Sequence, residues 1–380
     1  MSDIASVSVC NVRVPLDRVT SFATRTVRAR DYGLVKVRSS DGVEGIGFSY
    51  VGNAGGRIMS VAVEDLLAPL LLGQQSTRVE GLWEEMYREA LLHGRSGSVM
   101  RAISALDMAL WDLNARLVEL PLYRYLGCWT TTSVPAYASG GYYLDGKTPQ
   151  HLGEELAAYV RSGFKAVKMK VGRLGLAEEE ARVQAAREAI GADILLMLDA
   201  NNAWSDVPTA LQFCKRYEKY EPYWIEEPFS PDEIDNHARL AERTQICVAT
   251  GEIEAGRWRF KEILDKRAAA ILQTDAAVCG GISEWRRIAH TAASYGATIS
   301  PHWFHDLHVH LVAATSNCRY VEYFPDDQVL NFRRLINRQL ETKDGYLQLP
   351  TGPGLGFEFD ENAVAKYASN SAQPWEQKKL

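Results

Sequence analysis

Long apolar runs are missing from this 380-residue chain: none approaches the roughly 20 residues that cross a bilayer, so no membrane span is expected. The opening MSDIASVSVC has no basic segment leading into an apolar one, so no export signal is expected either. Cysteine is sparse. The six present (Cys10, Cys128, Cys214, Cys247, Cys279, Cys318) show no C-x-x-C spacing, which suits reduced thiols in a cytoplasm and gives no candidate nucleophile. Net positive charge is absent as well, and a formal charge of −6 argues against a nucleic-acid partner. No low-complexity tract or exact repeat occurs. A composition of 46% hydrophobic and 24% charged residues is that of an ordinary globular protein. The length exceeds what one core usually organises, so two lobes or one large barrel with an attachment are expected.

The stretch that organises the rest is AVKMKVG, 166–172. In a strand, residues two apart point the same way, so Lys168 and Lys170 face one space. Burying two ammonium groups together depresses the pKa of each, so the pair needs an anion or a solvent-filled site. An exposed edge strand wearing lysines as protection is the plain alternative.

Upstream, VSVCNVRVPL and YGLVKVRSSDGVEGIGFSY read as strands, with Asp41-Gly42 as a hairpin turn. Thr20 to Arg30 and Val51 to Arg57 read as mobile loops. From Met59 to Leu126 apolar residues recur three and four apart, as in helices. An α+β domain is therefore expected over residues 1–130. Beyond it, short apolar strands alternate with amphipathic segments, eight in all, which is the pattern of a (β/α)8 barrel over 131–351. Residues 352–380 are expected to pack back on the first domain.

Charged residues fall at the C-terminal ends of these strands: Lys168 and Lys170, then Asp199, Glu226, Glu252, Asp275, His302 and Glu322. A barrel gathers those ends at one face, where its active sites are built. Asp199, Glu226 and Glu252 offer only oxygen, which suits a hard divalent ion such as Mg2+. Glu227, next to Glu226, should turn to the opposite face. Asp275 could bind one nitrogen of His302 and leave the other as acid or base. Lys170, beside Lys168 and a dication, should have a lowered pKa, as a general base needs. A carboxylate substrate at such an ion would have its α-proton acidified. His302, His305, His308 and His310 crowd together, but no cysteine or carboxylate pattern joins them as a zinc site; His308 or His310 could touch the ligand.

The motifs VKMKVG, LDAN, WIEEP, ATGE, QTDAAVCGG, SPH and YVEYF, with ISALDMALWDL upstream, resemble the mandelate racemase subgroup of the enolase superfamily across nearly the whole chain. GFSY followed by AGG, HGRSG, YASGG and HVHLVAA look most like the L-talarate/galactarate dehydratases within it. The resemblance implies an enolase-type modified barrel with an N-terminal capping domain, a cytoplasmic homo-oligomer and an acid-sugar substrate. It implies Asp199, Glu226 and Glu252 as Mg2+ ligands, Lys170 as one base assisted by Lys168, and His302 with Asp275 as the other. Glu322 would hydrogen-bond the substrate carboxylate and Asn201 would line the pocket.

The activity so implied is dehydration of a polyhydroxy acid to a 2-keto-3-deoxy acid. A racemase, an epimerase or a lactone cycloisomerase would use the same two-base site, and a retired, ligand-binding barrel would have lost a member of the set. The polar cap residues Thr24, Arg25, Asn53, Arg57, His93 and Arg95 favour a polyhydroxy substrate over an aromatic one, with Thr24, Arg25, Arg57 and Arg95 as candidate contacts.

Overall fold

The computed structural model describes residues 2–326, 329–370 and 372–379. Three antiparallel strands come first: β1 (Ile4–Ser21), β2 (Thr26–Ser39) and β3 (Glu44–Tyr50). Gly42, at a φ of 87°, makes the tight turn between β2 and β3. The 21-residue helix Gly97–Leu117 lies on this sheet with most of its side chains buried. Its close approach depends on Gly45 and Gly47: a Cβ at Gly47 would sit 1.9 Å from the Ala105 carbonyl oxygen. Helix Val79–Ala90 and a helical run from Arg57 to Leu71, with a π turn at Ala62–Leu67, complete this layer.

Thr20 to Arg30 is not the loop expected from its polarity. Thr20 pairs with Val27 and Ser21 with Thr26, so the strands run almost to the tip of a long hairpin. Its β-branched residues favour extended backbone, and Thr24, Arg25, Thr26 and Arg28 are exposed along the arm while Thr20 and Arg30 are buried. The tip reaches the barrel, where Thr24 Oγ1 donates to the Asn201 carbonyl at 3.1 Å and Arg173 Nη1 donates to that of Phe22 at 3.1 Å.

Eight parallel strands follow: β4 (Ser133–Ser139), β5 (Ala166–Lys170), β6 (Leu195–Asp199), β7 (Trp224–Glu226), β8 (Cys247–Thr250), β9 (Ile271–Leu272), β10 (Thr298–Ile299) and β11 (Val321–Tyr323). Each of β4 to β9 pairs with its successor; β11 returns to β4, and the Ile299–Cys318 bridge joins β10 to the segment before β11. The sheet therefore closes. Tyr137, Ala166, Met197, Trp224, Ala249 and Ile271 fill its interior beneath the charged strand ends, so it is a packed core and not a pore.

Helices connect the first seven strands to their successors, and among the described residues β11 is followed by a 3-10 turn, Asn331–Leu335, where an eighth helix would stand. That turn belongs to the segment NFRRLINRQLE. Asn331 Nδ2 donates to the Val14 carbonyl at 3.0 Å, and its Oδ1 accepts from Tyr32 at 2.8 Å, so the chain leaves the barrel for the first layer. The last described strand, Glu376–Lys379, then pairs antiparallel with β1.

Buried polar contacts join the layers. Asp107 accepts from Ser283 N at 2.9 Å and Ser283 Oγ at 2.6 Å, and burial pushes its carboxyl up to about 7. Among the described residues no helix is long and apolar enough to cross a membrane.

Candidate active site

The ends of β5, β6 and β7 stand in register, with Lys170 opposite Asp199 and Asp199 opposite Glu226. Carboxylate oxygens of Asp199, Glu226 and Glu252 all come within 4.8 Å of one another. Asp199 and Glu226 are fully buried, and one Glu252 oxygen, Oε2, is buried with no hydrogen-bond partner. Burial and the Asp199 charge push the Glu226 carboxyl well above the usual range. Three acids crowded in a dry pocket repel one another, and an all-oxygen set with an unsatisfied lone pair fits a small dication.

Two lysines face this group. Lys168 Nζ lies 2.7 and 2.8 Å from the two Glu226 oxygens and 2.7 Å from Glu322 Oε1, above the Tyr137 ring. Burial lowers its pKa, but Glu226 and Glu322 outweigh burial and hold it well above the ordinary value, so it is a fixed cation. Lys170 Nζ hydrogen-bonds Asp199 Oδ2. Burial lowers the Lys170 pKa, contact with Asp199 outweighs it so that the net direction in the protein alone is up, and the neighbouring Lys168 pulls it down as expected.

Across the mouth, His302 Nδ1 sits 3.1 Å from Asp275 Oδ2 and its Nε2 3.5 Å from Glu252 Oε1. Burial pushes the imidazole down, and Glu252 and Asp275 more than restore it, so its pKa is raised overall. Asp275 is itself fixed: its Oδ1 accepts from Ala277 N at 2.8 Å and lies 3.5 Å from His308 Nε2. Glu322 Oε2 accepts from Trp303 N at 2.8 Å.

Lys170, Asn201, Glu252, Asp275 and His302 meet Thr24 and Arg25 from the hairpin tip around a cavity of about 140 Å³. Larger clefts of about 770 and 540 Å³ lie beside the hairpin; charged groups such as Asp145 and Lys147 line them, but neither the acidic cluster nor the His302–Asp275 pair does. Arg57 and Arg95, expected at the substrate, do not line the cavity. Arg57 begins an exposed helical turn and Arg95 lies exposed in the link between two helices, whereas the hairpin arm brings Thr24 and Arg25 to the mouth. Asn53 is likewise turned aside, accepting from Tyr50 Oη at 3.1 Å.

Glu227 is a second correction. It lines the cavity, because its φ of 43° breaks the strand alternation that should have turned it away. Asn201, Asn202 and Trp303, also just past site strands, have positive φ as well. His310 is occupied elsewhere: its Nδ1 accepts from Tyr123 N at 3.2 Å and its Nε2 meets the Leu355 carbonyl at 3.2 Å. His308 touches Asp275, not the cavity, and no histidine joins the acidic group among the described residues. Sequence reasoning missed Arg30, Tyr50, Arg101, Tyr142 and Trp303, all cavity residues. An arginine within the otherwise apolar MRAISAL segment was the available signal for Arg101.

Residues 4–127 match the model of the mandelate racemase / muconate lactonizing enzyme N-terminal domain, and residues 151–363 match the enolase C-terminal domain-like model. The chain is 35% identical to arabinonate dehydratase of Saccharolobus solfataricus, covering 88% of this chain and 90% of that one. It is also 35% identical to L-talarate/galactarate dehydratase of Salmonella typhimurium, over 87% of this chain and 81% of the other. Among solved structures, L-talarate dehydratase from Polaromonas sp. JS666, complexed with Mg and L-glucarate, superposes with a TM-score of 0.89 at 31% identity, covering 100% of both chains.

Proposed function

Since this chain belongs to the mandelate racemase / muconate lactonizing enzyme family, within the enolase superfamily, we propose that it is a Mg2+-dependent dehydratase of a polyhydroxy acid. The observation that carries the reading is a three-carboxylate cluster whose Glu252 opens on the same small cavity as Lys170 and the His302–Asp275 pair.

Asp199, Glu226 and Glu252 would hold the ion. When bound, Mg2+ neutralises the substrate carboxylate and makes the neighbouring C–H more acidic. Lys168, fixed between Glu226 and Glu322, adds positive charge on the same side. Lys170, at the cavity wall beside Asp199, takes the proton from C2. His302, oriented by Asp275, gives its proton to the C3 hydroxyl as the C3–O bond breaks and water leaves. The enol so formed tautomerises to the 2-keto-3-deoxy acid. Thr24 and Asn201 close the cavity from opposite lobes and exclude water.

The same reading assigns residues 1–130 to a cap, 131–351 to the catalytic barrel and 352–380 to a segment returning to the cap. It places the enzyme in the cytoplasm, in keeping with six free cysteines. It also makes the enzyme a homo-oligomer, a reading supported by Leu92, 95% exposed, with Leu91, Ile58 and Val61 exposed on the same layer.

The test is to incubate the protein and Mg2+ with a panel of mono- and dicarboxylic sugar acids in D2O, following proton NMR and a colour reaction for 2-keto acids. A keto-deoxy product is expected, and Lys170→Ala should abolish it. Exchange at C2 with full retention of the hydroxyl across the panel would instead identify an epimerase.

A further inference from the structure

The cap side of the cavity carries three guanidinium groups that the dehydration steps do not use. Arg30, 3% exposed, lies 4.4 Å over the Trp303 ring and 5.2 Å over that of Tyr50, and its Nε donates to the Val329 carbonyl at 2.8 Å. Arg101, half-buried, rises from helix Gly97–Leu117 and donates through Nη1 to the Tyr50 carbonyl at 2.6 Å. Arg25 enters from the hairpin tip. Among the described residues none of the three has a carboxylate within ion-pair distance, although such pairs are common elsewhere in the molecule. Of the acidic groups on the barrel side, Asp275 and Glu252 are already engaged by His302, and Glu227 stands with Asn202 and the acidic cluster. Guanidinium groups gathered at one pocket without a carboxylate in ion-pair contact favour an incoming anion, and a carboxylate matches their fork geometry.

The reacting carboxylate of the substrate belongs at the other end, beside Lys168 and the acidic cluster. We infer that Arg101, with Arg25 and Arg30 beside it, binds a second carboxylate at the far end of the substrate, so that this enzyme takes an aldaric diacid and discriminates against the aldonic monoacid. Between the two ends, Asn201 Oδ1 and Trp303 Nε1 are buried without partners at the cavity wall, one acceptor and one donor for the hydroxyl groups of the carbon chain. The inference rests on the dehydratase reading and adds to it the length and charge of the substrate.

The experiment compares kcat/KM for each aldarate with that for the aldonate of the same configuration at C2 to C5, using the Mg2+-loaded enzyme. Since a site built to bind a polar group rejects the analogue lacking it, a preference for the diacid of roughly 100-fold or more is expected. Arg101→Gln and, separately, Arg25→Gln should each reduce kcat/KM for the diacid by roughly 30-fold, mostly through KM, and narrow its advantage over the monoacid. Arg25 is exposed, so that variant keeps the test valid if Arg101→Gln does not fold. Dehydration of aldonates with equal or better kcat/KM would overturn the inference and leave the dehydratase reading standing. Absence of keto-deoxy product from both acid classes would overturn both.

Discussion

Replacing His302 with asparagine separates the two halves of the proposed reaction. The imidazole is held by Asp275 at 3.1 Å and Glu252 at 3.5 Å, and those carboxylates raise its pKa against the pull of burial, which favours the form that can donate. Asparagine fills part of the same space but cannot transfer a proton at neutral pH. Loss of a positioned general acid costs about 100- to 10,000-fold, or about 3 to 5 kcal/mol of barrel-side transition-state stabilisation. Lys170, on β5, has no contact with His302 and keeps Asp199, so abstraction at C2 continues. Wild-type and variant enzymes would be followed by NMR in D2O with the preferred acid, reading deuterium incorporation at C2 and keto-deoxy product in the same tube. Product formation should fall by that factor while exchange at C2 persists. Loss of both in parallel would refute the division of labour, as would product formation at the wild-type rate.

Glu226→Gln removes one charge from the acidic cluster and half of the Lys168 clamp; calorimetric titration should show Mg2+ affinity weakened by about tenfold or more, and unchanged affinity would disprove the ligand set. His310, buried and bonded at both nitrogens, has its pKa pushed down by burial to about 4 from an ordinary 6.5. The unfolded chain therefore binds the proton more readily, and stability is full above about pH 6.5 and lost as pH falls towards about 4, by about 2 kcal/mol between pH 6.5 and 5. Melting temperatures at pH 7 and 5 should fall less for His310→Gln than for the wild type, and an equal fall would dismiss this source of acid sensitivity. Gly47→Ala would press a methyl into the Ala105 carbonyl and should cost about 3 kcal/mol or more; an unchanged melting temperature would show that strand and helix can separate.

Much of the architecture was written in local pattern. Eight apolar segments spaced by helical ones specify a barrel, because strand and helix periods differ and the parallel pairing of successive strands follows from the crossovers. The charged residues at their ends were legible for the same reason: position within each repeat fixes position on the barrel face. Lys168, Lys170, Asp199, Glu226, Glu252, Asp275, His302 and Glu322 all reach that face.

What sequence could not supply were facts of distance between remote segments and of backbone strain. Arg57 looked as apt as Arg25, yet only the hairpin arm's path decides which one meets the cavity. Arg101 is separated from β5 by a whole layer in the chain, and its place beside the site arises from the packing of helix Gly97–Leu117 against a glycine-bearing strand. Glu227 turns inward through one positive φ that no alternation rule foresees. The protonation of Lys170 depends on Asp199, 29 residues away, whose oxygen comes into contact only when β5 and β6 pair in register. Sequence periodicity determined which groups face the mouth of the barrel. Tertiary structure alone decided which of them touch, because ion pairing falls off over a few ångströms while the pattern of residues fixes only the strand and the face.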